Sequence, residues 1–160
     1  SFRKDEMGVP HLEARYEHWR AKGSKQQEEQ FSDGTIRLIG FLFCLIDCNG
    51  LVLLEEPEIN LHSGIVAKLP EFIASIQRTK KQAQQVIITT HSYEMLANDD
   101  IGTNEVLLLQ GSKEGTTIAK VSDIEHVKAV VDAGFSMAEA VLPQTKPSNI
   151  DALSNLKFDF

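Results

Sequence analysis

The chain has 160 residues, a net charge of −7 and 42% hydrophobic residues, from which we predict a single domain over residues 1–160 with a real core. The acidic balance argues against a protein that grips nucleic acid over its whole surface, because phosphate binding needs concentrated Lys and Arg. No apolar run approaches the roughly 20 residues that cross a bilayer, and no signal-peptide pattern opens the chain, so we predict a cytoplasmic protein without a membrane partner.

The first stretch with a regular pattern is a half-exposed strand. Residues 11–19 alternate apolar and polar side chains, which is typical of a strand with one covered face. The polar stretch that follows, residues 20–30, is predicted to be a surface loop or an exposed helical start, since it offers nothing to a core.

A buried helix is predicted next, over residues 31–47, "FSDGTIRLIGFLFCLID". After a polar start that contains a glycine, the segment is apolar almost all round, and Ser32 or Asp33 can cap it. Cys44 and Cys48 lie four residues apart in or beside this segment, so we predict core thiols without a disulfide or a zinc site.

The middle of the chain is predicted to form a strand, a helix and a second strand, in that order. Residues 50–56 are a short apolar run that suits a strand covered on both faces. Residues 63–80 have an amphipathic helical pattern that Pro70 should kink or divide. A second buried strand is predicted over residues 85–92, with a short helix around Met95. This order makes a parallel crossover the expected connection, and hence a mostly parallel sheet flanked by helices.

The C-terminal third predicts a hairpin and helices. The predicted elements are strands over 105–110 and 116–121, helices over 122–133 and 136–142, and a tail over 143–160. Ser122 and Glu125 have the spacing of a capping box at the start of the first of these helices.

Polar groups follow each of the two buried strands. Glu55 and Glu56 end the first strand, and His91 ends the second. Carboxylate oxygens suit Mg²⁺, and ligands of open sheets sit beyond the carboxyl ends of strands. The start of the helix at residues 31–35 adds free backbone N–H groups that could hold an anion. The three features together favour a site for a nucleotide phosphate.

The order of these features resembles the ABC-type ATPases, in the branch with SMC-like, RecF-like and OLD-type proteins. "FSDGT" resembles the signature motif, "LVLLEEPE" Walker B, "INLH" the D-loop and "IITTHS" the switch-histidine loop. The glutamate pair followed by Pro-Glu and Leu-His is especially similar to OLD-type sequences and their relatives in bacterial defence. The resemblance covers residues 31–97 and implies the C-terminal lobe of a P-loop NTPase-like α/β fold.

The resemblance also implies roles for individual residues. Glu55 would hold Mg²⁺ through water, Glu56 would be the general base or water-orienting carboxylate, and His91 would bind the γ-phosphate of ATP. The remaining matches are the signature residues, which would contact ATP held by an opposite subunit, and the D-loop residues at the dimer interface: Ser32, Asp33, Gly34, Asn60, Leu61 and His62.

Two of these assignments, and the nearby Glu58, have a plain structural alternative. Asp33 should repel a phosphate, so its side chain would point away or cap the helix. The D-loop match could be an ordinary connection from strand to helix with Leu61 packed inside. Glu58 could be a solvated turn acid.

A phosphate loop of the form G-x-x-x-x-G-K-S/T does not occur in the 160 residues. We therefore expect the chain to be the C-terminal part of a longer ATPase whose Walker A half lies upstream or on a separate chain. The full-length protein is expected to hydrolyse ATP with Mg²⁺, to form a homodimer and to drive DNA-directed or phage-defence activity with DNA or a nuclease partner. Whether the chain alone is an enzyme stays open.

Two other functions compete with this interpretation. A transporter's nucleotide-binding domain is disfavoured, because "FSDGT" lacks the tandem glycine and glutamine of transporter signatures. A non-catalytic interaction module would keep only the scaffold. The sequence upstream of Ser1 discriminates them, since a strand followed by a phosphate loop there would support the ATPase.

Overall fold

The structure, a computed structural model, describes residues 1–16, 24–81, 84–147 and 150. The strands are β1 (Phe2–Lys4), β2 (Pro10–Tyr16), β3 (Ser24–Gln27), β4 (Val52–Glu55), β5 (Val86–Thr89), β6 (Leu107–Ser112) and β7 (Gly115–Lys120). The α-helices are α1 (Asp33–Asp47), α2 (Ser63–Val66), α3 (Leu69–Thr79), α4 (Tyr93–Leu96), α5 (Glu125–Asp132) and α6 (Met137–Val141). Short 3₁₀ helices span Glu28–Gln30, Val121–Asp123 and Leu142–Thr145.

These elements form two compact units. The first unit comprises Ser1–Leu61 and Gln84–Ile88, and the second comprises His62–Ala83 and Thr89–Phe160. The single domain expected over residues 1–160 stays a prediction. Much of the expected tail, residues 148–149 and 151–160, lies outside the described residues.

The expectation of a mostly parallel sheet is wrong. The described strands form three small sheets, in the orders β1-β2-β3, β4-β5 and β6-β7. The pairs β1/β2, β2/β3 and β6/β7 are all antiparallel. Each of these pairs joins strands that are consecutive in the chain, and short connections reverse the chain direction, whereas a parallel pair needs a long crossover.

The first unit begins with the antiparallel sheet β1-β2-β3. The strand expected over residues 11–19 is confirmed as β2 up to Tyr16, and residues 17–19 lie outside the described part of the chain. The polar connector was expected to be a loop or a helical start, but Ser24–Gln27 forms β3. Pairing of β3 with β2, from Glu13 opposite Gln27 to Tyr16 opposite Ser24, outweighs the weak strand propensity of its residues.

Helix α1 confirms the helix expected after residue 31, but only one side of it is buried. Phe41 and Leu45 are buried at 6% and 0% exposure, whereas Phe43 and Ile46 are exposed at 61% and 64%. Residues two or five positions apart lie on well-separated faces of a helix, so an all-round apolar sequence gives one covered and one uncovered face here. Cys48 is exposed, which contradicts its placement in the core.

Strand β4 is also covered on one face only. Val52 is 6% exposed and its neighbour Leu53 is 68% exposed, so the expected burial on both faces is wrong within the described residues. Backbone and side-chain bonds fix the start of this strand: the Val52 N–H donates to the Gln85 carbonyl at 2.8 Å, and Gln84 Nε2 donates to the Cys48 carbonyl at 2.9 Å.

In the second unit, the helix expected over residues 63–80 is divided, as predicted. It consists of α2 and α3, and Pro70 lies in the first turn of α3, where its missing N–H costs no helix hydrogen bond. The hairpin of β6 and β7 is also confirmed, with Leu107 opposite Lys120 and Ser112 opposite Gly115.

The core of the second unit is formed by side chains of α4, the hairpin, the 3₁₀ helix that follows it, α5 and α6. It comprises Leu96, Leu108, Val121, Val127, Met137, Ala138, Ala140 and Val141. The capping box expected at Ser122 is wrong: Ser122 lies in a 3₁₀ helix and donates to Asp123, while α5 begins after Ile124 without a side-chain cap. Instead Ser136 and Glu139 form a capping box at α6, and the hydroxyl and N–H of Ser136 lower the pKa of Glu139.

A histidine joins two carboxylates at one end of the first sheet. His11 Nδ1 bonds the Glu28 carboxylate, and Nε2 lies 3.5 Å from Asp5 Oδ2. The hydrogen bond to Glu28 raises the pKa of His11 most, and the one to Asp5 raises it further. The same bond to His11 lowers the pKa of Glu28. The cluster therefore ties strand β2 to the 3₁₀ helix that leads into α1.

We expect His11→Gln to destabilise the protein more at mildly acidic pH than at alkaline pH. The folded pKa of His11 is above its ordinary value of 6.5, so its contribution is complete below that value and is lost as pH rises through the folded pKa. The contribution of the Glu28 carboxylate to stability is present above its ordinary pKa of 4.5 and is lost as pH falls through its lowered folded pKa. Urea midpoints at about pH 5.5 and about pH 9 should therefore differ more between wild type and variant at the lower pH. Equal differences at both pH values, or a similar trend in the control His126→Gln, would contradict this.

Within the described ranges, no helix is both long and apolar enough to cross a membrane.

Candidate functional site

Ser32 caps the start of α1, where the signature-like residues lie. Its hydroxyl oxygen accepts from the Thr35 N–H at 3.2 Å and lies 2.9 Å from the Thr35 hydroxyl. Asp33 is exposed in the first helical turn, where its negative charge interacts favourably with the helix N-terminus. Of the two candidate caps, the structure therefore selects Ser32.

Gly34 is buried against the turn that follows β4. A Cβ atom added at Gly34 would lie 2.2 Å from the Asn60 carbonyl oxygen and 3.6 Å from a Leu61 methyl carbon. Real Cβ atoms do not approach a backbone oxygen so closely, so only glycine allows this contact. The signature-like and D-loop-like residues of one chain thus pack against each other in the first unit.

The two glutamates at the end of β4 have different surroundings. Glu55 is the last residue of the strand and is exposed, while Glu56 is half-buried with one carboxylate oxygen inaccessible. Glu56 also has a φ of 42°, a left-handed conformation that costs a non-glycine residue about 1–3 kcal/mol. Glu58 is 9% exposed, so it is not the solvated turn acid that the sequence suggested.

Three hydrogen bonds hold the turn in this conformation. The Glu56 carbonyl accepts from the Ile59 N–H at 3.2 Å and from Arg37 Nη1 of α1 at 3.4 Å. The Glu58 carbonyl accepts from the Leu61 N–H at 2.9 Å. Asn60, with φ 66°, is left-handed as well. The backbone next to Glu56 is therefore fixed from two sides, by its own turn and by α1.

Two expected site residues lie in the second unit. His62 is exposed, and its Nδ1 accepts from the Gly64 N–H at 3.1 Å, which caps α2. His91 is exposed and lies two residues after the end of β5. The next residue, Ser92, caps α4 by accepting from the Met95 N–H at 3.3 Å. His91 therefore stands at a strand-to-helix junction, as the sequence predicts.

The first unit brings together three of the expected groups: the start of α1, the turn at Asn60 and Leu61, and Glu56. Arg37 joins the first group to the third and was not among the predicted site residues. A signal for it exists, because Arg37 follows Gly34 by three residues and therefore lies on nearly the same face of the helix.

Glu55 is the candidate metal ligand of this region. Across the described residues, no three His, Cys, Asp or Glu side chains converge on a point that could hold a metal. Mg²⁺ does not need such a group, since it keeps several waters and binds through one or two carboxylates plus substrate phosphates. The carboxylate of Glu55 is exposed and could serve in this way.

Comparison with known proteins identifies the family of most of the chain. Residues 2–97 match a family model described as "AAA domain, putative AbiEii toxin, Type IV TA system". Twelve solved chains match the structure. One comes from work described as "Structural biochemistry of ATP-driven dimerization and DNA stimulated activation of SMC ATPases"; it is 18% identical, with a TM-score of 0.51, over 79% of this chain and 73% of that one. The comparison with curated proteins found no match. The family match confirms the expected ATPase domain as an AAA-type domain, and the SMC ATPase structure shows a similar fold.

Proposed function

The chain belongs to the AAA domain family whose description names AbiEii and type IV toxin–antitoxin systems, and from that premise we propose that it is part of an OLD-like ATPase that hydrolyses ATP. The observation that carries the proposal is the turn after β4. A half-buried glutamate there has a strained backbone that α1 and the turn hold in place. Such strain concentrates at functional sites, and family membership indicates which function.

In the proposed mechanism, Glu56 orients and polarises the water that attacks the γ-phosphate. Phosphoryl transfer depends mostly on positioning and electrostatic stabilisation, so a carboxylate with a fixed backbone suits this role. Its partial burial limits the side-chain conformations from which it can reach the water. As the water oxygen forms the new bond to the γ-phosphorus, a proton of the water would move to a Glu56 carboxylate oxygen. The bond from the γ-phosphorus to the β–γ bridging oxygen would break, and ADP would leave with that oxygen.

Glu55 would hold Mg²⁺ in the loaded enzyme, with water between the carboxylate and the ion. The ion would supply positive charge that neutralises the phosphate oxygens. The loop that cradles the other phosphates is absent from residues 1–160, and we propose that a segment outside them, or a separate chain, supplies it.

His91 would donate a hydrogen bond to the γ-phosphate, and the start of α1 at Ser32–Gly34 would contact ATP held by a second copy. Asn60, Leu61 and His62 would line the interface between the copies. The SMC ATPase structure supports this part of the proposal, because its description reports ATP-driven dimerisation.

The proposed biological setting is DNA-directed or phage-defence activity. The family description, which names a toxin–antitoxin system, supports defence, and the description of the SMC ATPase as DNA-stimulated supports a DNA partner. Cycles of ATP-driven dimerisation would then drive a DNA-bound or nuclease partner.

The experiment that tests this function is steady-state ATP hydrolysis by the full-length protein and by its His91→Ala variant. We expect magnesium-dependent hydrolysis in the wild type and a kcat lower by about 100-fold in the variant, since a donor to the transferring phosphate is lost. The control is His126→Ala, which removes an exposed histidine of α5 and should leave turnover unchanged. Wild-type turnover in His91→Ala would remove His91 from the site. If the wild-type protein bound ATP but did not hydrolyse it, the non-catalytic binding module would be the remaining function.

A further inference from the structure

The first turns of α1 contact the turn after β4 at two points, one polar and one steric. Arg37 Nη1 donates to the Glu56 carbonyl at 3.4 Å. One helical turn earlier, Gly34 lies beneath the Asn60 carbonyl, where even a Cβ atom would collide. The turn from Glu56 to Asn60 is thus held at both of its ends by a single helix.

Both ends of that turn have the left-handed backbone that side chains disfavour. Glu56 has φ 42° and Asn60 has φ 66°. Asparagine tolerates this conformation well and glutamate does not. The backbone of Glu56 therefore depends more than that of Asn60 on stabilising contacts from outside the turn. The Glu56 carbonyl is oriented by its φ and ψ angles, and a donor fixed on α1 favours the one orientation in which it can accept.

We propose that Arg37 is a positioning residue: its guanidinium holds the backbone of Glu56 in the left-handed conformation and thereby aims the Glu56 carboxylate. The proposal rests on the role of Glu56 in hydrolysis proposed above. Arg37 touches neither ATP nor water in this account and acts only through the Glu56 carbonyl. A shift of the helix start would therefore move the carboxylate as well.

The test combines a structural and a kinetic measurement on the full-length protein. Arg37→Met keeps the aliphatic part of the side chain and removes every donor, and Arg37→Lys keeps one charged donor. Arg78→Met is the matched control, because it removes an exposed arginine from α3 in the second unit. The structural readout is hydrogen exchange of the Ile59 amide, which donates to the same Glu56 carbonyl.

We expect Ile59 to exchange about tenfold faster in Arg37→Met, with Arg37→Lys close to wild type, because a freed Glu56 leaves the conformation that this bond requires. We expect kcat to fall by about tenfold with KM for ATP unchanged, because the Glu56 carboxylate loses its orientation toward the attacking water while ATP binding is unaffected. Arg78→Met should match wild type in both measurements.

A double variant separates positioning from other effects. If Arg37 acts through Glu56, Arg37→Met should lower kcat no further in a Glu56→Gln background. A further loss there, or wild-type exchange of Ile59 in Arg37→Met, would overturn the proposal. Full turnover by Glu56→Gln alone would instead refute the proposed role of Glu56, and the exchange rates would still show whether Arg37 holds the turn.

Discussion

Glu56→Gln in the full-length protein is expected to lower kcat for ATP hydrolysis by about 10²–10⁴-fold while ATP binding persists. Glutamine has nearly the shape of glutamate, so the half-buried position after β4 should still be filled. What is lost is the negative charge that polarises the attacking water. Because hydrolysis ends the ATP-bound state, the variant should accumulate as an ATP-bound dimer, detectable by size-exclusion chromatography with ATP and Mg²⁺.

The control for this variant is Glu125→Gln, which removes an exposed carboxylate from the first turn of α5. It should keep the wild-type turnover. Unchanged hydrolysis by Glu56→Gln would exclude Glu56 as the water-orienting group. Loss of ATP binding together with turnover would show that the side chain serves the fold or the nucleotide and not the water.

Gly34→Ala is expected to lower stability by about 2 kcal/mol or more, because the new methyl group meets backbone that cannot rotate away. The Asn60 carbonyl oxygen would be 2.2 Å from the added carbon and must move by roughly 1 Å to reach an ordinary contact. For a chain of this size, that loss corresponds to a fall in Tm of roughly 4–8 °C. Thermal unfolding followed by circular dichroism measures it.

The same helix provides the control for this substitution. Gly40 also lies in α1, and a Cβ atom added there meets nothing within 4 Å. Alanine is a better helix former than glycine, so Gly40→Ala should raise stability by about 0.5–1 kcal/mol. Opposite signs at the two positions would show that contact with Asn60, and not the loss of a glycine, decides the result. A stable Gly34→Ala protein would mean that α1 does not need to approach the turn so closely.

The elements that the sequence predicted well are those whose signal lies in local periodicity and in special residues. Pro70 divides the helix after residue 63 because a proline is accepted in a first turn and not in a helix interior. The hairpin of β6 and β7 follows from a glycine-flanked loop, and Gly115 has the positive φ of 136° that such a turn uses. The order of motifs around Glu55, Glu56 and His91 likewise indicated the family.

The parts that the sequence missed depend on partners distant in the chain. Ser24–Gln27 forms a strand because β2 offers an open edge, and a polar composition does not reveal that. Periodicity shows that Leu53 and Phe43 are apolar but does not show which face is covered, so both were expected inside and both are exposed.

The backbone of the candidate site could not be predicted for a related reason. The left-handed conformation of Glu56 arises from the contact with α1 and from the bond to Ile59, and nothing in the letters "EEPE" requires it. The burial of Glu58 was equally unpredictable, since an acidic residue in a turn is by default solvated. Arg37 escaped notice because its partner is a backbone carbonyl, which no sequence motif records.

A crystal structure of the full-length protein with Mg²⁺ and a slowly hydrolysed ATP analogue would show directly whether Glu56 positions the attacking water. We expect a water molecule within hydrogen-bond distance of the Glu56 carboxylate, about 3–3.5 Å from the γ-phosphorus and in line with the bond to be broken. A nucleotide bound with its γ-phosphate far from Glu56, and with no ordered water between them, would contradict this expectation.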